Sequence, residues 1–412
     1  MSALWHPSIA VDGADADADA AKRVMAQLII VATVLFNFGL CFVNTRVFPI
    51  VAGYVVAVEL GLIGVSFCLT WDRSKTQYAI LLLVGAYLAA VMVMRDEYAP
   101  QFARDIIIPV VFFFLGRYFG TVRAADRIVA LIAVAALGVA CFEWFALDRY
   151  LQFFDVIHYY VARGSVTGVD TEILPGLYVS GTRVDQRTLL PFLGDHRASG
   201  LFLEPVSVGN FGAIAFAWIL LRDLGRPLVF IVKTIVIGSL LVLGDSRFGF
   251  NLCIATVALY IVAPYLRPTM LFAAPFVAIS GLIIYAGISG MDLASIDNDL
   301  AGRLLFAGSL ARTLDVWQVF GLQTSDAVME DAGYVYLMVN LGIMGMAGLW
   351  AMFAYAPVLD RQAWRYRTFV MFYIVALLCI STSLFTIKTA ALLWFLYGTV
   401  NNPNRSADAA LV

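Results

Sequence analysis

Long uninterrupted apolar runs recur along the whole chain and constrain its fold more than any other feature. A helix needs about 20 apolar residues to cross the roughly 30 Å hydrocarbon core of a bilayer. Hydrophobic residues make up 62% of the chain and charged residues 14%, against roughly 45–50% and about 25% in soluble domains. We therefore predict an all-α, polytopic integral membrane protein with about 12 transmembrane helices. The predicted segments are 24–44, 47–70, 77–94, 105–121, 127–146, 201–221, 228–244, 247–264, 268–289, 332–356, 367–383 and 386–401.

The end of the chain leaves two alternatives open. Residues 381–388 read either as a tight outer turn or as a polar patch within one longer, broken helix. Residues 367–401 therefore form one or two spans.

The distribution of Lys and Arg predicts the orientation. With the N-terminus in the cytoplasm, fifteen basic residues fall on the cytoplasmic side and only five in short outer loops. Short cytoplasmic loops normally carry this excess. Residues 1–23 contain an alternating Asp and Ala tract and are predicted to be a disordered, acidic cytoplasmic tail. Residues 24–401 form a single transmembrane domain in this interpretation, and 402–412 form a second cytoplasmic tail.

Two long polar loops, 147–200 and 290–331, are predicted on the outer (periplasmic) face. The outer side holds twelve basic residues, eleven Arg and one Lys. Arg binds phosphate bidentately and stays charged near an apolar boundary, so an outward Arg cluster fits a lipid-linked pyrophosphate. Arginines that snorkel beside lipid headgroups are the alternative for any single one. They are Arg46, Arg95, Arg104, Arg149, Arg163, Arg183, Arg187, Arg197, Arg247, Arg303 and Arg312, with Lys388.

The first loop re-enters the membrane at 194–205, which contains His196, Arg197 and Glu204. An ionisable group at bilayer depth is costly, so a carboxylate there is expected to be paired or functional. Glu204 also fits a helix-start anion before Pro205. Both interpretations stay open.

A tight outer turn follows at 244–249. Asp245 and Ser246 fit helix caps, which leaves Arg247 to point toward the same outer cavity as Glu204.

The second loop offers Arg303 and Arg312, and it re-enters the membrane at Asp331, shortly before Tyr334. Asp331 fits either a helix cap or a proton acceptor.

Several chemistries lack their usual signatures. The chain has three His without metal-ligand spacing, and it contains neither a phosphate-binding Gly-rich loop nor a Gly-x-Ser-x-Gly elbow. All five Cys lie inside apolar runs, so no disulfide is expected. A formal charge of −2 without a basic patch argues against nucleic acid as a partner. We expect no metal and no cofactor.

Three motifs together resemble the O-antigen polymerase and O-antigen ligase superfamily, the Wzy-type bacterial polysaccharide enzymes. They are Arg197-Ala-Ser-Gly-Leu-Phe-Leu-Glu-Pro205 with Gly209-Asn210, the turn Asp245-Ser-Arg247, and Asp331-Ala-Gly-Tyr334 followed by Gly342 and Gly345. Arg183 and Gly194 are also similar to the Arg-spacer-Gly pattern of such polymerases. The resemblance covers residues about 100–400.

This resemblance implies a metal-independent glycosyltransferase in a bacterial inner membrane, acting on undecaprenyl-pyrophosphate-linked oligosaccharide in the bilayer for exopolysaccharide or O-antigen synthesis. A flippase and a chain-length regulator are the implied protein partners. Arginines would neutralise the leaving pyrophosphate, and a carboxylate or His would accept the proton of the attacking hydroxyl. The implied substrate contacts are Arg183, Arg197, Arg247, Arg303, Arg312 and Tyr334, and the base candidates are Glu204, Asp331 and His196.

Two alternatives differ in the acceptor or in the class of protein. Ligases of this superfamily generally carry a His near the second re-entry, where this chain has Asp331, which favours a polymerase. The second loop departs from the polymerase pattern because it lacks an Arg-spacer-Gly sequence. A flippase or other transporter would need polar residues that continue to the cytoplasmic face, and ionisable residues deep in the apolar runs are few, chiefly Glu59 and Glu143.

Overall fold

The described part of this computed structural model is built from α-helices without β-strands. It covers residues 13–95, 99–166, 176–183, 187, 189–289, 299–325, 329 and 331–404. Its helices are α1 Gly13–Arg46, α2 Ala52–Thr70, α3 Lys75–Arg95, α4 Pro100–Phe119, α5 Val122–Phe145, α6 Leu147–Phe153, α7 Val156–Ala162, α8 Pro205–Asp223, α9 Pro227–Leu243, α10 Arg247–Val262, α11 Pro268–Ser289, α12 Leu300–Thr313, α13 Val316–Val319, α14 Gly333–Tyr355, α15 Arg361–Leu378 and α16 Ile387–Val400.

The chain is a helical membrane protein by the length and apolarity of its helices. Each of the twelve predicted segments overlaps one helix, and eight helices are long and apolar enough to cross a bilayer: α1, α2, α3, α5, α8, α10, α11 and α14. The helices α9 and α16 are shorter, with 17 and 14 residues. The helices α4 and α15 each contain three charged residues.

Two sequence expectations about chain ends are decided by the helix bounds. The predicted disorder of residues 1–23 is wrong for residues 13–23, which form the first turns of α1. Ala has the highest helix propensity, and a long apolar span next to the tract removes the cost of nucleating the helix. Residues 1–12 and 405–412 lie outside the described residues. Residues 367–401 contain two helices, because α15 ends at Leu378 and α16 begins at Ile387.

Contacts group the chain into two compact units. The first contains residues 1–74, 111–258 and 387–412, and the second contains 75–110 and 259–386. The single domain expected over 24–401 stays a prediction, since the chain passes repeatedly from one contact group to the other.

The described start of the first long loop folds onto the helices of its own unit. Its short helices α6 and α7 place the tyrosine rings of Tyr150, Tyr159 and Tyr160 in a core with Cys41 and Leu203. All five residues are at most 1% exposed. Burial of large aromatic side chains supplies much of the energy that orders such a segment, so the described residues of this loop that carry α6 and α7 are a structured part of this unit.

A close glycine contact fixes the turn between α9 and α10 against α8. A Cβ on Gly249 would lie 2.7 Å from the Gly209 Cα, and a Cβ on Gly209 would lie 1.9 Å from the Ser246 Oγ. Only residues without a side chain let two helices approach this closely. The start of α8, which follows Glu204, therefore lies beside the turn that carries Arg247.

Candidate functional site

A short antiparallel contact organises the end of the first long loop. The Arg183 N–H donates to the Asp195 carbonyl at 2.9 Å, and the Arg197 N–H donates to the Gly181 carbonyl at 2.8 Å. Gly194 turns the chain back with a φ of 79°, a conformation that glycine adopts without strain. The spacing between Arg183 and Gly194 thus has a structural basis, because the turn at Gly194 sets Arg183 beside Arg197.

Glu143, in the last turn of α5, binds the same loop through its carboxylate. Its carboxylate is fully buried and accepts hydrogen bonds from the Ser199 N–H at 3.0 Å and the Gly200 N–H at 2.5 Å. The His196 Nε2 lies 3.0 Å from its Oε1. The His196 ring also stacks on Trp144, with ring centroids 5.3 Å apart and planes at 5°. One carboxylate therefore fixes both the backbone and the imidazole of this segment.

Two buried arginines bind the carbonyl end of α9. Arg187 donates to the carbonyls of Val242 and Leu243, and the Arg197 Nε donates to the Gly244 carbonyl at 3.2 Å. All three guanidinium nitrogens of Arg197 donate to backbone carbonyls. Cations at a helix C-terminus satisfy carbonyls that have no partner within the helix. These two side chains mainly hold the turn in place.

Asp245 is the carboxylate of this turn, and it faces inward. It is fully buried, accepts a hydrogen bond from the Leu189 N–H at 2.8 Å, and pairs with the Arg183 Nε at 3.2 Å. Its φ of 42° is a left-handed conformation that costs energy outside glycine. Asp245, which was expected to cap the following helix, therefore forms an ion pair that links the turn to the first loop.

Arg247, the first residue of α10, differs from its neighbours. Its side chain makes no hydrogen bond or ion pair within the described part of the chain. Its charge acts on Arg197 together with those of Arg183, Arg187 and Asp245. Burial, followed by repulsion from Arg183, lowers the pKa of Arg197 to about 9, so Arg197 stays charged at neutral pH. The arginine cluster, defined as Arg183, Arg187, Arg197 and Arg247, thus has one carboxylate among its described close neighbours.

Glu204 is the carboxylate of a second group of polar side chains. It is the residue before α8, but its side chain makes no capping hydrogen bond. Its Oε2 lies 2.8 Å from the Lys388 Nζ and accepts a hydrogen bond from the Ser207 hydroxyl at 2.9 Å, while Tyr160 donates to its Oε1. The Arg163 guanidinium lies over the Tyr160 ring at 4.3 Å. Glu204 therefore does stand at the start of α8, directly before Pro205, and its carboxylate forms an ion pair in place of a capping hydrogen bond.

The Glu204 network makes the protein less stable at acidic pH. Burial raises the pKa of the Glu204 carboxyl, but Lys388, Tyr160 and Arg163 together outweigh burial and hold this pKa below its usual value. A carboxyl whose pKa is lower in the folded protein than in the unfolded chain stabilises the fold fully at a pH above its unfolded-state pKa. This stabilisation is lost as the pH falls through its folded-state pKa. We expect the wild-type unfolding midpoint to fall more between pH 7 and pH 3 than that of Glu204→Gln.

Thermal unfolding in detergent at a series of pH values measures this difference. Asp148→Asn, which removes an exposed carboxylate, is the matched control and should follow the wild-type curve. Parallel curves for wild type and Glu204→Gln would contradict the pairing.

The remaining predicted site residues lie in the second unit. Arg303 of α12 pairs with Asp331, with 3.2 Å between Nη1 and Oδ1 and both side chains partly exposed. The Arg312 side chain lies near Gly287 of α11. Tyr334 is buried, and its hydroxyl donates to the Val375 carbonyl at 3.2 Å. The structure places Arg303 and Asp331 together and gives Tyr334 a packing role.

Four residues of these networks were not among the predicted site residues. Glu143 carries a signal in the sequence, because an ionisable residue inside an apolar run is expected to be functional or paired. Arg187 and Lys388 carry only the general signal of outer basic residues, and Tyr160 carries none, since its partner Glu204 is distant in the sequence. Within the described residues, no group of three or more His, Cys, Asp or Glu side chains could hold a metal ion.

Neither a protein-family profile, nor a characterised protein, nor a solved structure matches this chain. The geometry of its own residues therefore carries the functional argument.

Proposed function

We propose that this chain is a polysaccharide polymerase of the bacterial inner membrane. It transfers a growing glycan from undecaprenyl pyrophosphate onto a lipid-linked repeat unit at the outer face. The proposal includes twelve transmembrane helices, a cytoplasmic N-terminus and two periplasmic segments at 147–200 and 290–331.

The observation that carries this proposal is the arginine cluster with Arg247 unpartnered. Three of its guanidiniums, those of Arg183, Arg187 and Arg197, interact with the buried Asp245 carboxylate, and two of these are fixed on backbone carbonyls. A fixed cationic site of this kind is suited to a charge that develops during a reaction, because little reorganisation is needed. The departing pyrophosphate of a lipid-linked sugar is such a charge.

A ligase and a flippase are the alternatives. Asp331, in place of the His that ligases generally carry, supports a polymerase. A flippase needs polar groups through the membrane, and Glu143 is no longer a candidate for such a path, since its carboxylate is committed to His196, Ser199 and Gly200.

Reconstitution decides among these classes. Purified protein in proteoliposomes, supplied with one synthetic undecaprenyl-pyrophosphate-linked repeat unit, is expected to form products of two or more repeats without added metal or nucleotide. Mass spectrometry or gel electrophoresis of the products measures this.

Transfer only onto a different lipid acceptor would identify a ligase. Redistribution of intact substrate across the bilayer, without new glycosidic bonds, would identify a flippase. Liposomes that contain the Arg247→Ala variant are the matched control for background transfer.

A further inference from the structure

We propose that His196 is the general base of the transfer and that Glu143 is the residue that positions it. This inference rests on the proposed function and deepens it. It selects one of three base candidates and adds a residue that had no assigned role.

The hydrogen bonds of Glu143 define the state of the imidazole. The Glu143 carboxylate receives two backbone N–H groups, from Ser199 and Gly200, besides the His196 Nε2. The Glu143 oxygens accept from backbone N–H groups, so the imidazole nitrogen that faces them is the donor of that hydrogen bond. The proton therefore lies on Nε2, and Nδ1 keeps its lone pair. A base held in one tautomer by a carboxylate is the arrangement that activates hydroxyl groups in many enzymes.

The position of the ring is also fixed. Trp144 stacks on one face of it, and the Arg187 guanidinium lies 5.0 Å from the centre of the Trp144 ring. The His196 side chain keeps 13% of its surface exposed, and Nδ1 makes no hydrogen bond with any described residue. The imidazole is thus held in place by Trp144 and Glu143, while part of its surface stays exposed and Nδ1 stays without a partner among the described residues.

The neighbours of His196 connect it to the arginine cluster. Its carbonyl accepts a hydrogen bond from Arg187, and the next residue is Arg197. A base and a pyrophosphate site on one short segment suit a reaction in which a hydroxyl attacks one side of a sugar while the phosphate leaves.

Glu204 is less suited to the same role. Both of its oxygens are occupied, Oε1 by Tyr160 and Oε2 by Lys388 and Ser207. A carboxylate stabilised in this way has little tendency to accept a proton. Its network is better described as a structural connection between α7, α8 and α16.

The proposed step conserves atoms and charge. The acceptor hydroxyl oxygen forms a bond to the anomeric carbon of the donor, and the bond from that carbon to the pyrophosphate oxygen breaks. The electron pair leaves with the pyrophosphate. The hydroxyl proton moves to the His196 Nδ1 and is then released to water, which restores the neutral imidazole.

Several charged groups lie around this base. They are Glu143 on α5, Arg187 and Arg197 on the loop, Asp195 beside it with an exposed side chain, and the pair of Arg183 with Asp245 at the turn.

The test uses the full-length protein in proteoliposomes with the synthetic lipid-pyrophosphate repeat unit. His196→Gln keeps a donor toward Glu143 but removes the base. We expect its kcat to fall about 100- to 10,000-fold with KM and lipid-pyrophosphate binding unchanged, and the acid limb of its pH profile to disappear. Glu143→Gln is expected to lower kcat with KM unchanged, because the imidazole loses the carboxylate that fixes its tautomer and its orientation.

His158→Gln is the matched control. His158 lies on α7 in the same long loop, its side chain is 74% exposed, and it pairs with Asp155 at 2.6 Å. This variant should keep wild-type kcat. His196→Ala should regain activity when imidazole is added, which a purely structural role would not produce.

Three results separate this inference from the function on which it rests. Wild-type kcat in His196→Gln would overturn the base assignment while leaving the polymerase intact. The base assignment would also be overturned if His196→Gln lost both lipid-pyrophosphate binding and turnover and if imidazole did not restore the activity of His196→Ala. That outcome would indicate a structural role for His196. A wild-type protein that forms no glycosidic bond would overturn the proposed function and the base assignment together.

Discussion

Replacing Arg247 with alanine is expected to lower polymer formation about 100- to 1,000-fold while the protein remains folded in the membrane. Arg247 makes no hydrogen bond or ion pair within the described residues, so its removal costs the fold little. Its neighbours in the arginine cluster donate to carbonyls or pair with Asp245. Arg247 is therefore the guanidinium that is available to a bound anion.

Initial rates with the lipid-linked repeat unit, measured with protein normalised by membrane content, check this effect. Arg247→Lys should retain part of the activity, because Lys keeps the charge but loses bidentate geometry. Arg149→Ala, which removes an exposed arginine from α6 in the first loop, is the matched control and should act like wild type. Normal product ladders from Arg247→Ala would remove Arg247 from the site.

The same reasoning separates Arg197 from Arg247, although both were predicted substrate contacts. Arg197 is 7% exposed and donates from all three guanidinium nitrogens to backbone carbonyls. Its loss would remove a donor from three carbonyls, among them that of the buried Gly244, which is itself destabilising. An Arg197 variant that lost both stability and activity could not assign a catalytic role, whereas an Arg247 variant can.

The helices could be predicted from sequence because hydropathy is a local property. Each predicted segment overlaps a helix of the structure. This includes α4 and α15, whose charged residues lie near the helix ends. The error at residues 13–23 has the same origin. A polar tract was interpreted from its own composition, but the adjoining span of α1 extends the helix through it.

The candidate site could be predicted only in part. His196, Arg197 and Glu204 stand in one short motif, and Arg247 stands in a turn that apolar runs define on both sides. The partners of these residues depend on contacts between distant segments. Lys388 lies 184 residues after Glu204, yet its Nζ is 2.8 Å from the Glu204 carboxylate. No local pattern predicts such a pair.

Lys388→Met is expected to lower the free energy of unfolding by about 3 kcal/mol, near the lower end of the range for breaking a buried ion pair. Lys388 is 1% exposed, and besides Glu204 it donates to the Phe202 carbonyl at 3.1 Å. Its loss leaves a carboxylate without its cation. Glu204 keeps 20% of its side chain exposed. Water can therefore partly solvate the unpaired carboxylate, and the loss of unfolding free energy stays near the lower end of that range.

A double-mutant cycle distinguishes this ion pair from simple packing. Glu204→Gln combined with Lys388→Met removes both charges and should recover about 2 kcal/mol relative to the sum of the single variants. Denaturant unfolding in detergent measures each variant, and Lys75→Met, at an exposed lysine, should change stability by less than about 0.5 kcal/mol. Additive losses in the cycle would mean that Lys388 acts through its contact with Phe202 and its packing, and that Glu204 is free to accept a proton. That result would make Glu204 a candidate base again beside His196. The double-mutant cycle and the rate measurements on the His196 variants together therefore identify the base.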